Sequence, residues 1–356
     1  MTATAAPPLR LRVNGFGALG ARELDAWHSL RAGNPALDSP YFHPLFAKAV
    51  HDSGTRVSVV VAEDPDGAIR AIMPLDANGR TVRPAGWPAA DFQGPILAPG
   101  TRFPVPALLG SLGAHTFAFD HLLDGRPEFA PWIRHRSPSP YLDVSGGLPG
   151  YLGRASRSGK ENMGQARRRA RKLAGEHGDL KFIVDNRDPD VLDQVIQLKR
   201  GQYIATGARD YFAVPERKSF LHGMLATREG SFRGLLSTVH CGDELVAAHF
   251  GMCDGAVLHW WFPVYDPAFS RFAPGWILLR ELTDAAPQLG VTRIDLGRGE
   301  DEYKRRAMTG QVEVCEGRII ANPWRRAVRN AADAAVAAAK RSPVRDQLRA
   351  VVRRVR

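Results

Sequence analysis

The pattern of apolar and polar positions along the chain predicts alternating strands and helices. In the first half, apolar runs at 56–64 and 68–76 flank a Pro-Asp-Gly turn, so they predict a β-hairpin. Further strand candidates follow at 115–123 and 138–144. The stretch VSGGLPGYLG at 144–153 then combines four glycines with a proline, and we expect a domain boundary there.

The second half has the clearer periodicity. A helix at 160–177 places four apolar residues on one stripe, and a basic run at 167–172 projects from its other faces. After a strand at 180–185, the next helix opens with Asp188 as N-cap and Pro189 in its first turn. The later segments are a helix at 215–228, strands at 232–240, 244–252 and 256–264, a helix at 274–290, a strand at 291–297, a short charged helix and a strand at 311–320.

Composition is typical of a globular protein that buries an apolar core. The chain has 356 residues, of which 44% are hydrophobic and 24% charged, and this length favours two domains. No apolar run approaches the ~18 residues needed to cross a bilayer, and the first residues lack the apolar core of a secretory signal peptide. The three cysteines have no paired spacing and the histidines no ligand spacing, so we expect a cytoplasmic protein without disulfides or metal.

The positive charge is concentrated at the C-terminus. Residues 321–356 hold ten Lys or Arg and two Asp, which accounts for +8 of the net charge of +11. Within this tail, 344–356 alternates valine and leucine with arginine at helical spacing. Such a basic amphipathic helix can lie on an anionic membrane surface, which would place the protein peripherally at the inner membrane. The alternative is a terminal helix docked on its own protein.

The basic run at 167–172 raises the possibility of a nucleic-acid partner. An aminoacyl-tRNA would suit such a run, but aromatic residues are not interleaved with it. A solvated helix face explains the run better. We therefore expect no nucleic-acid partner other than an aminoacyl-tRNA donor.

The stretch IDLGRGEDEYKRRAM at 294–308 is the strongest local indication of a site. A strand ends there, two glycines follow, and three acids stand directly before Tyr303 and Lys304. An acid, a phenol and an amine after a buried strand can serve group transfer. The same letters also fit a surface helix with solvated acid-base pairs.

The order of elements in the second half is strand, two helices, three strands, helix, strand, helix and strand, which is the order of the GNAT acyltransferase fold. Together with AAHFG (247–251), WWFPVYDPAFSRFAPGWILL (260–279) and IDLGRGEDEYK (294–304), it resembles the acetyltransferase-like domain of the CelD/BioF2-type family, which is related to the FemAB peptidyltransferases. SPYFHPLFAKAV and PAADFQGPIL in the first half resemble the degenerate first GNAT-like repeat of that family. The resemblance covers residues 35–320.

This resemblance implies an α/β (α+β) fold of tandem GNAT-like domains, the acyl-CoA N-acyltransferase fold. A degenerate N-terminal domain would cover 1–147, a C-terminal acyltransferase domain 148–320, and a basic helical tail 321–356. The implied activity is transfer of an acyl group from acyl-CoA to an amine on a sugar, lipid or cell-envelope precursor. Two alternatives stay open: a FemAB-like aminoacyl-tRNA-dependent transferase, and a non-catalytic polysaccharide- or membrane-associated binding protein.

For the donor, the resemblance implies a pantetheine arm beside Phe262 and Val264. The pyrophosphate would meet the helix opening at Pro274, Gly275 and Trp276, where free N–H groups and the helix dipole favour an anion, with Arg271 just upstream. The general GNAT signature there is Arg/Gln-x-x-Gly-x-Gly/Ala. The sequence RFAPGW keeps one of its glycines, which favours the two alternatives.

For catalysis, the resemblance implies that Tyr303 protonates the departing thiolate and that Lys304 stabilises a phosphate or an oxyanion. His249, which hairpin pairing would place opposite Trp260, is the first candidate for the general base. A structural histidine within the sheet is an equal reading. Glu300 is the reserve base, because a carboxylate after this strand can reach the same cleft.

Three residues are candidates for binding the acceptor. Asp91, in PAADFQGPIL, matches the family's cleft-lining aspartate loop, although the sequence alone favours a turn-capping role. The sequence at Tyr265 and Asp266 favours a turn, and the alternative is that these residues clamp the substrate.

Overall fold

The computed structural model of the protein describes residues 8–32, 34–77, 79–322 and 324. Its strands are β1 Arg10–Gly15, β2 Val57–Glu63, β3 Ile69–Asp76, β4 Thr81–Pro84, β5 Ile96–Leu97, β6 Thr116–Leu123, β7 Ile133–Asp143, β8 Leu180–Asn186, β9 Arg228–Glu229, β10 Phe232–Cys241, β11 Glu244–Asp254, β12 Val257–Tyr265, β13 Arg293–Asp295 and β14 Gly310–Ile320. Its helices are α1 Ala21–Ala32, α2 Pro44–Asp52, α3 Val105–Ser111, α4 Gly147–Arg154, α5 Arg157–His177, α6 Pro189–Thr206, α7 Pro215–Ala226, α8 Pro274–Ala285 and α9 Glu302–Ala307.

The strands join in one large mixed sheet. Their order is β1-β2-β3-β4-β6-β14-β7-β13-β12-β11-β10-β8, with β5 on β3 and β9 on β10. The last strand, β14, lies between β6 and β7 and is antiparallel to both. The C-terminal part of the described chain therefore completes the sheet of the first half.

The order of elements predicted for the second half is confirmed. Asp188 caps α6, because its side chain accepts a hydrogen bond from the N–H of Asp190 at 2.8 Å. The apolar stripe of α5 is buried at Met163, Ala166 and Leu173, while its basic run is largely exposed.

The glycine-rich stretch at 144–153, where the sequence predicts a domain boundary, is largely helical. From Gly147 onward it forms α4, whose N-cap Gly146 has a positive φ of 78°. The domain boundary at 147/148 stays a prediction. The basic tail at 321–356 lies, except for residues 321, 322 and 324, outside the described residues. Within the described ranges, no helix has both the length and the apolar character to cross a bilayer.

A gap between two parallel strands positions the site. β12 pairs with β13 at three positions, from Val257 with Arg293 to His259 with Asp295. Beyond these pairs the strands part: the chain after β13 stays beside β7, where the N–H groups of Leu296 and Gly299 donate to Pro140 and Pro138, while Gly297 and Gly299 have φ of 72° and 131°. The edge of β12 from residue 260 onward is then free of a strand partner on that side.

A β-bulge shapes the same edge. Trp260 and Trp261 on β12 together oppose Gly251 on β11. The two indoles pack in different core clusters, and both reach the gap. Gly251 is required there, because a Cβ would lie 2.1 Å from the carbonyl oxygen of His259.

Candidate functional site

A cavity of about 570 Å³ opens between β12 and the segment that follows β13. Its apolar wall comes from β12, α8 and the chain after β13: Trp260, Trp261, Pro263, Val264, Ala273, Gly275, Trp276, Leu278, Leu279 and Leu296. Its polar lining comes mainly from α6, α9 and the loop between β4 and β5: Asp91, Lys199, Gln202, Tyr265, Ser270, Asp301, Tyr303 and Lys304. The two halves of the chain thus share one site.

Tyr303 lines the cavity from the first turn of α9. Burial and the charge of Asp301 raise the pKa of Tyr303 above its ordinary value. The phenol therefore stays protonated at neutral pH and can donate a proton. The neighbouring indole of Trp260 acts in the opposite direction and lowers the pKa of Tyr303, but burial outweighs it.

Lys304 is buried beside Tyr303 and holds the glycine loop after β13. Its Nζ donates to the carbonyl oxygens of Gly297 at 3.2 Å and Arg298 at 2.8 Å, and lies 3.5 Å from Asp301. Because these contacts fix the loop that parts β13 from β12, Lys304 shapes the cavity as well as lining it.

The loop between β4 and β5 carries Asp91 into the cavity. Gln93 anchors this loop on β6, because its N–H donates to the carbonyl of His121 and its Oε1 accepts from the His121 N–H. The carboxylate of Asp91 receives a hydrogen bond of 2.8 Å from Nε2 of His259. Burial opposes ionisation of Asp91, but the bond from His259, with the charges of His259, His121 and Lys304, outweighs it and lowers the pKa.

Lys199 on α6 is a cavity residue that the sequence reading missed. Its Nζ donates to the carbonyl of Pro263 at 3.0 Å, and burial together with the charge of Lys304 lowers its pKa to about 8. Asp91 is paired with His259 and Asp301 with Lys304. Among the described residues, Lys199 is the one charged group of the cavity wall without an opposite charge beside it.

His249 does not reach the cavity. The predicted pairing with Trp260 is wrong, because the hairpin turns with Asp254 opposite Val257 and the bulge adds one more residue, which together place His249 opposite Pro263. The ring is fully buried, stacks on Trp260 and contacts the main chain at His259 and Trp261 through Nε2. Burial lowers its pKa to about 3, so the ring is neutral and packed within the sheet.

Glu300 is also away from the cavity. It is exposed and lines a separate depression of about 390 Å³ together with His135, Arg136 and Arg298. The glycine loop separates it from Tyr303, since Lys304 holds that loop from the cavity side.

The residues predicted to bind the donor are partly brought together. Val264, Gly275 and Trp276 line the cavity, and buried Pro274 begins α8 beside them. A Cβ at Gly275 would meet no atom within 4 Å, so this helix end is open to the cavity. The structure does not place the others there: Phe262 packs in the core against Tyr211 and Phe212, and exposed Arg271 pairs with Glu176.

The structure places two of the three residues predicted to bind the acceptor at the cavity. Asp91 lines the cavity, and Tyr265, 41% exposed, lies at its rim. Asp266 caps the turn at Pro267–Phe272, accepting the N–H of Ala268 at 2.8 Å, which is the turn role that the sequence favours.

Comparisons with known proteins agree with this architecture. Residues 160–305 match the family model described as an acetyltransferase (GNAT) domain. The crystal structure of FemX is similar over 89% of this chain and 99% of that chain, with a TM-score of 0.58 and 10% identity. A tandem GNAT protein from the clavulanic acid biosynthesis pathway is similar over 88% of this chain and 99% of that chain, with a TM-score of 0.52 and 13% identity.

A third similar structure is the C-terminal domain of a putative lysylphosphatidylglycerol synthetase from Agrobacterium fabrum. It aligns with 86% of this chain and 94% of its own, at a TM-score of 0.52 and 13% identity. A search of curated proteins gives no significant match. The fold is therefore the tandem GNAT fold, as the sequence predicts.

Proposed function

We propose that the protein transfers an acyl group from acyl-CoA to an amine on an anionic sugar, lipid or cell-envelope precursor. The observation that carries this proposal is the gap between β12 and β13, which opens beside the N-terminus of α8 and is lined by Tyr303. A free strand edge, a helix N-terminus and a proton donor are the parts that thioester aminolysis requires.

The donor side of the cavity fits an acyl-CoA. Beyond its pairs with β13, the edge of β12 offers backbone groups to the amides of a pantetheine arm. At the start of α8 the N–H of Gly275 offers a donor to a pyrophosphate, since Pro274 has no N–H and the N–H of Trp276 donates to Ala273. Gly275 leaves that helix end open. Bound there, the donor supplies an activated acyl carbon and a thiolate leaving group, and the protonated phenol of Tyr303 is the group that can protonate this thiolate.

The acceptor side of the cavity fits a molecule that carries one positively and one negatively charged group. Asp91 is an ionised carboxylate that can receive an ammonium group, and Lys199 is a cation without a counter-charge. A half-buried cation of this kind is stabilised by an anionic ligand. These two residues support an acceptor that carries an amine and a phosphate or carboxylate.

The experiment is an assay of acylated product and free thiol by mass spectrometry. The purified protein is supplied with acetyl-CoA or a longer acyl-CoA and with pairs of amino sugars that differ in one phosphate group. We expect thiol release that depends on the amine and is faster with the phosphorylated member. Absence of product with every donor and amine would contradict the proposal.

Lys199→Gln separates the role of this cation from the chemistry. We expect the KM for the phosphorylated amine to rise roughly 10-fold or more, since a hydrogen bond to a charged group contributes about 1.5–3 kcal/mol. The KM for the uncharged amine should not change. A lysine whose pKa is lowered is protonated below that value, so wild-type affinity for the phosphorylated amine should fall as the pH rises above about 8.

Lys199→Arg is the matched control. Arginine stays charged throughout this range, so the variant should keep its affinity for the phosphorylated amine at high pH. An equal loss for both amines in Lys199→Gln would contradict the assignment.

One observation favours a second candidate, the aminoacyl-tRNA-dependent transfer of FemAB-like proteins. The segment before α8 keeps one glycine, and Arg271 is engaged by Glu176 rather than facing the cavity. The same assay decides between the donors, since this candidate requires product from aminoacyl-tRNA and none from any acyl-CoA.

A further inference from the structure

We infer that Asp91, His121 and Asp120 form a chain that carries a proton out of the cavity, with Asp91 as the group that takes it from the acceptor amine. This inference rests on the proposed function, because it assigns the base at the same site. It fills the role for which the sequence offered His249 and Glu300, neither of which reaches the cavity.

The first link joins the cavity to β6. The side chain of Asp91 is 23% exposed, and Oδ1 lies 3.4 Å from Nε2 of His121 while Oδ2 accepts the bond from His259. Gly297 leaves room for this carboxylate, because a Cβ there would lie 2.6 Å from Oδ2. The charge of Lys304 also acts on Asp91 from α9.

The second link crosses the ring of His121. Its Nδ1 lies 3.0 Å from Oδ1 of Asp120, so each ring nitrogen faces a carboxylate. Each imidazole nitrogen can carry or give up a proton, so the ring can connect the two carboxylates. Such a ring can release a proton at Nδ1 and accept one at Nε2.

The third link reaches solvent. The side chain of Asp120 is 24% exposed, whereas His121 is buried. Hydrogen bonds from Gln93 at 2.7 Å and from the indole of Trp87 at 3.1 Å fix the Asp120 carboxylate. Arg298 donates to the Asp120 carbonyl and lines the second depression, so the chain ends beside a wet surface when substrates fill the cavity.

His259 also contacts Asp91, but it provides no route for a proton to reach solvent. It is fully buried, its Nδ1 has no partner within the described residues, and its ring contacts Tyr41 and Phe92. Its paired neighbour Asp295 is buried as well. His259 is therefore a positioning residue, which holds Asp91 toward the cavity but does not pass the proton on.

The protons of the reaction balance along this route. An acceptor ammonium loses two protons as the N–C bond forms and the C–S bond breaks. One proton ends on the departing thiol, to which Tyr303 can deliver it. The other is taken by Asp91 and leaves through His121 and Asp120, so the chain returns to its starting charge after each turnover.

The first test is an ¹⁵N-histidine NMR spectrum of the full-length protein at neutral pH, which needs no turnover. We expect Asp91→Asn to change the Nε2 signal of His121 and Asp120→Asn to change its Nδ1 signal, because each substitution replaces the carboxylate that faces that nitrogen. His222, which faces a carboxylate of Asp193 through Nε2, is the control that should not respond. A His121 spectrum that is unchanged in either variant would overturn the chain.

The second test is kinetic. His121→Gln should lower kcat roughly 100-fold with little change in the donor KM, because proton transfer is lost while the donor side is intact. His121→Ala should regain part of its kcat with free imidazole, which a merely structural role would not produce. Unchanged kcat in His121→Gln would overturn the chain. Failure of the wild-type protein to acylate any amine would instead refute the proposed function, while the NMR result still decides the chain.

Discussion

Gly275→Glu abolishes the stabilisation of this protein by acyl-CoA and leaves the free protein as stable as wild type or more stable. Gly275 lies in the first turn of α8 and lines the cavity, with open space where a Cβ would stand. A glutamate there clashes with no protein atom and suits the positive end of the helix dipole. The same carboxylate repels a pyrophosphate and occupies its place.

Thermal unfolding with and without acetyl-CoA, a longer acyl-CoA and free CoA measures this effect. For the wild-type protein, a donor at 100 times its Kd adds about 2.7 kcal/mol to the free energy of unfolding. For Gly275→Glu the addition should vanish.

Gly223→Glu is the control for Gly275→Glu. Gly223 is exposed on α7, lies outside the cavity and also has open space at its Cβ position. This variant should respond to acyl-CoA as the wild-type protein does. If acyl-CoA stabilised Gly275→Glu as much as the wild-type protein, the donor would not bind at the start of α8.

Tyr303→Phe lowers kcat roughly 100-fold or more and leaves the donor Kd nearly unchanged. Tyr303 lines the cavity with a phenol that is protonated at neutral pH, so it can supply the proton that the thiolate needs, and losing a general acid costs about 10²–10⁴ in rate. The substitution keeps the ring and removes the hydroxyl. Steady-state kinetics with a matched titration of donor binding separate the two effects.

Tyr211→Phe is the control for this variant. Tyr211 is another buried phenol whose pKa burial raises, but it packs on Phe262 outside the cavity. Its replacement should leave kcat within about twofold of wild type. Equal rates for Tyr303→Phe and wild type would mean that another group protonates the thiolate or that the cavity does not catalyse this reaction.

Local chemistry made part of this architecture predictable from sequence. The start of α6 follows from Asp188 and Pro189, because a cap and a first-turn proline act within one turn of the chain. The position of Tyr303 after a short buried strand follows from the letters around it. The alternation of strands and helices in the second half depends on periodicity, which neighbouring residues define.

Long-range contacts explain what the sequence did not reveal. Lys199 enters the cavity because α6 packs over β12, and nothing within α6 indicates this. The register of His249 depends on the bulge opposite Gly251, which cross-strand packing imposes. His121 meets Asp91 because Gln93 attaches one loop to β6, and such a pairing has no local signature.

The most direct test of the donor site is hydrogen–deuterium exchange of the full-length protein with and without acyl-CoA. We expect slower exchange at the backbone amides of two segments, residues 260–262 and 264–265 of β12 beyond its pairs with β13, and residues 275–277 at the start of α8. Slower exchange confined to other segments, or no change with an acyl-CoA at saturating concentration, would contradict the claim that the gap between β12 and β13 holds an acyl-CoA.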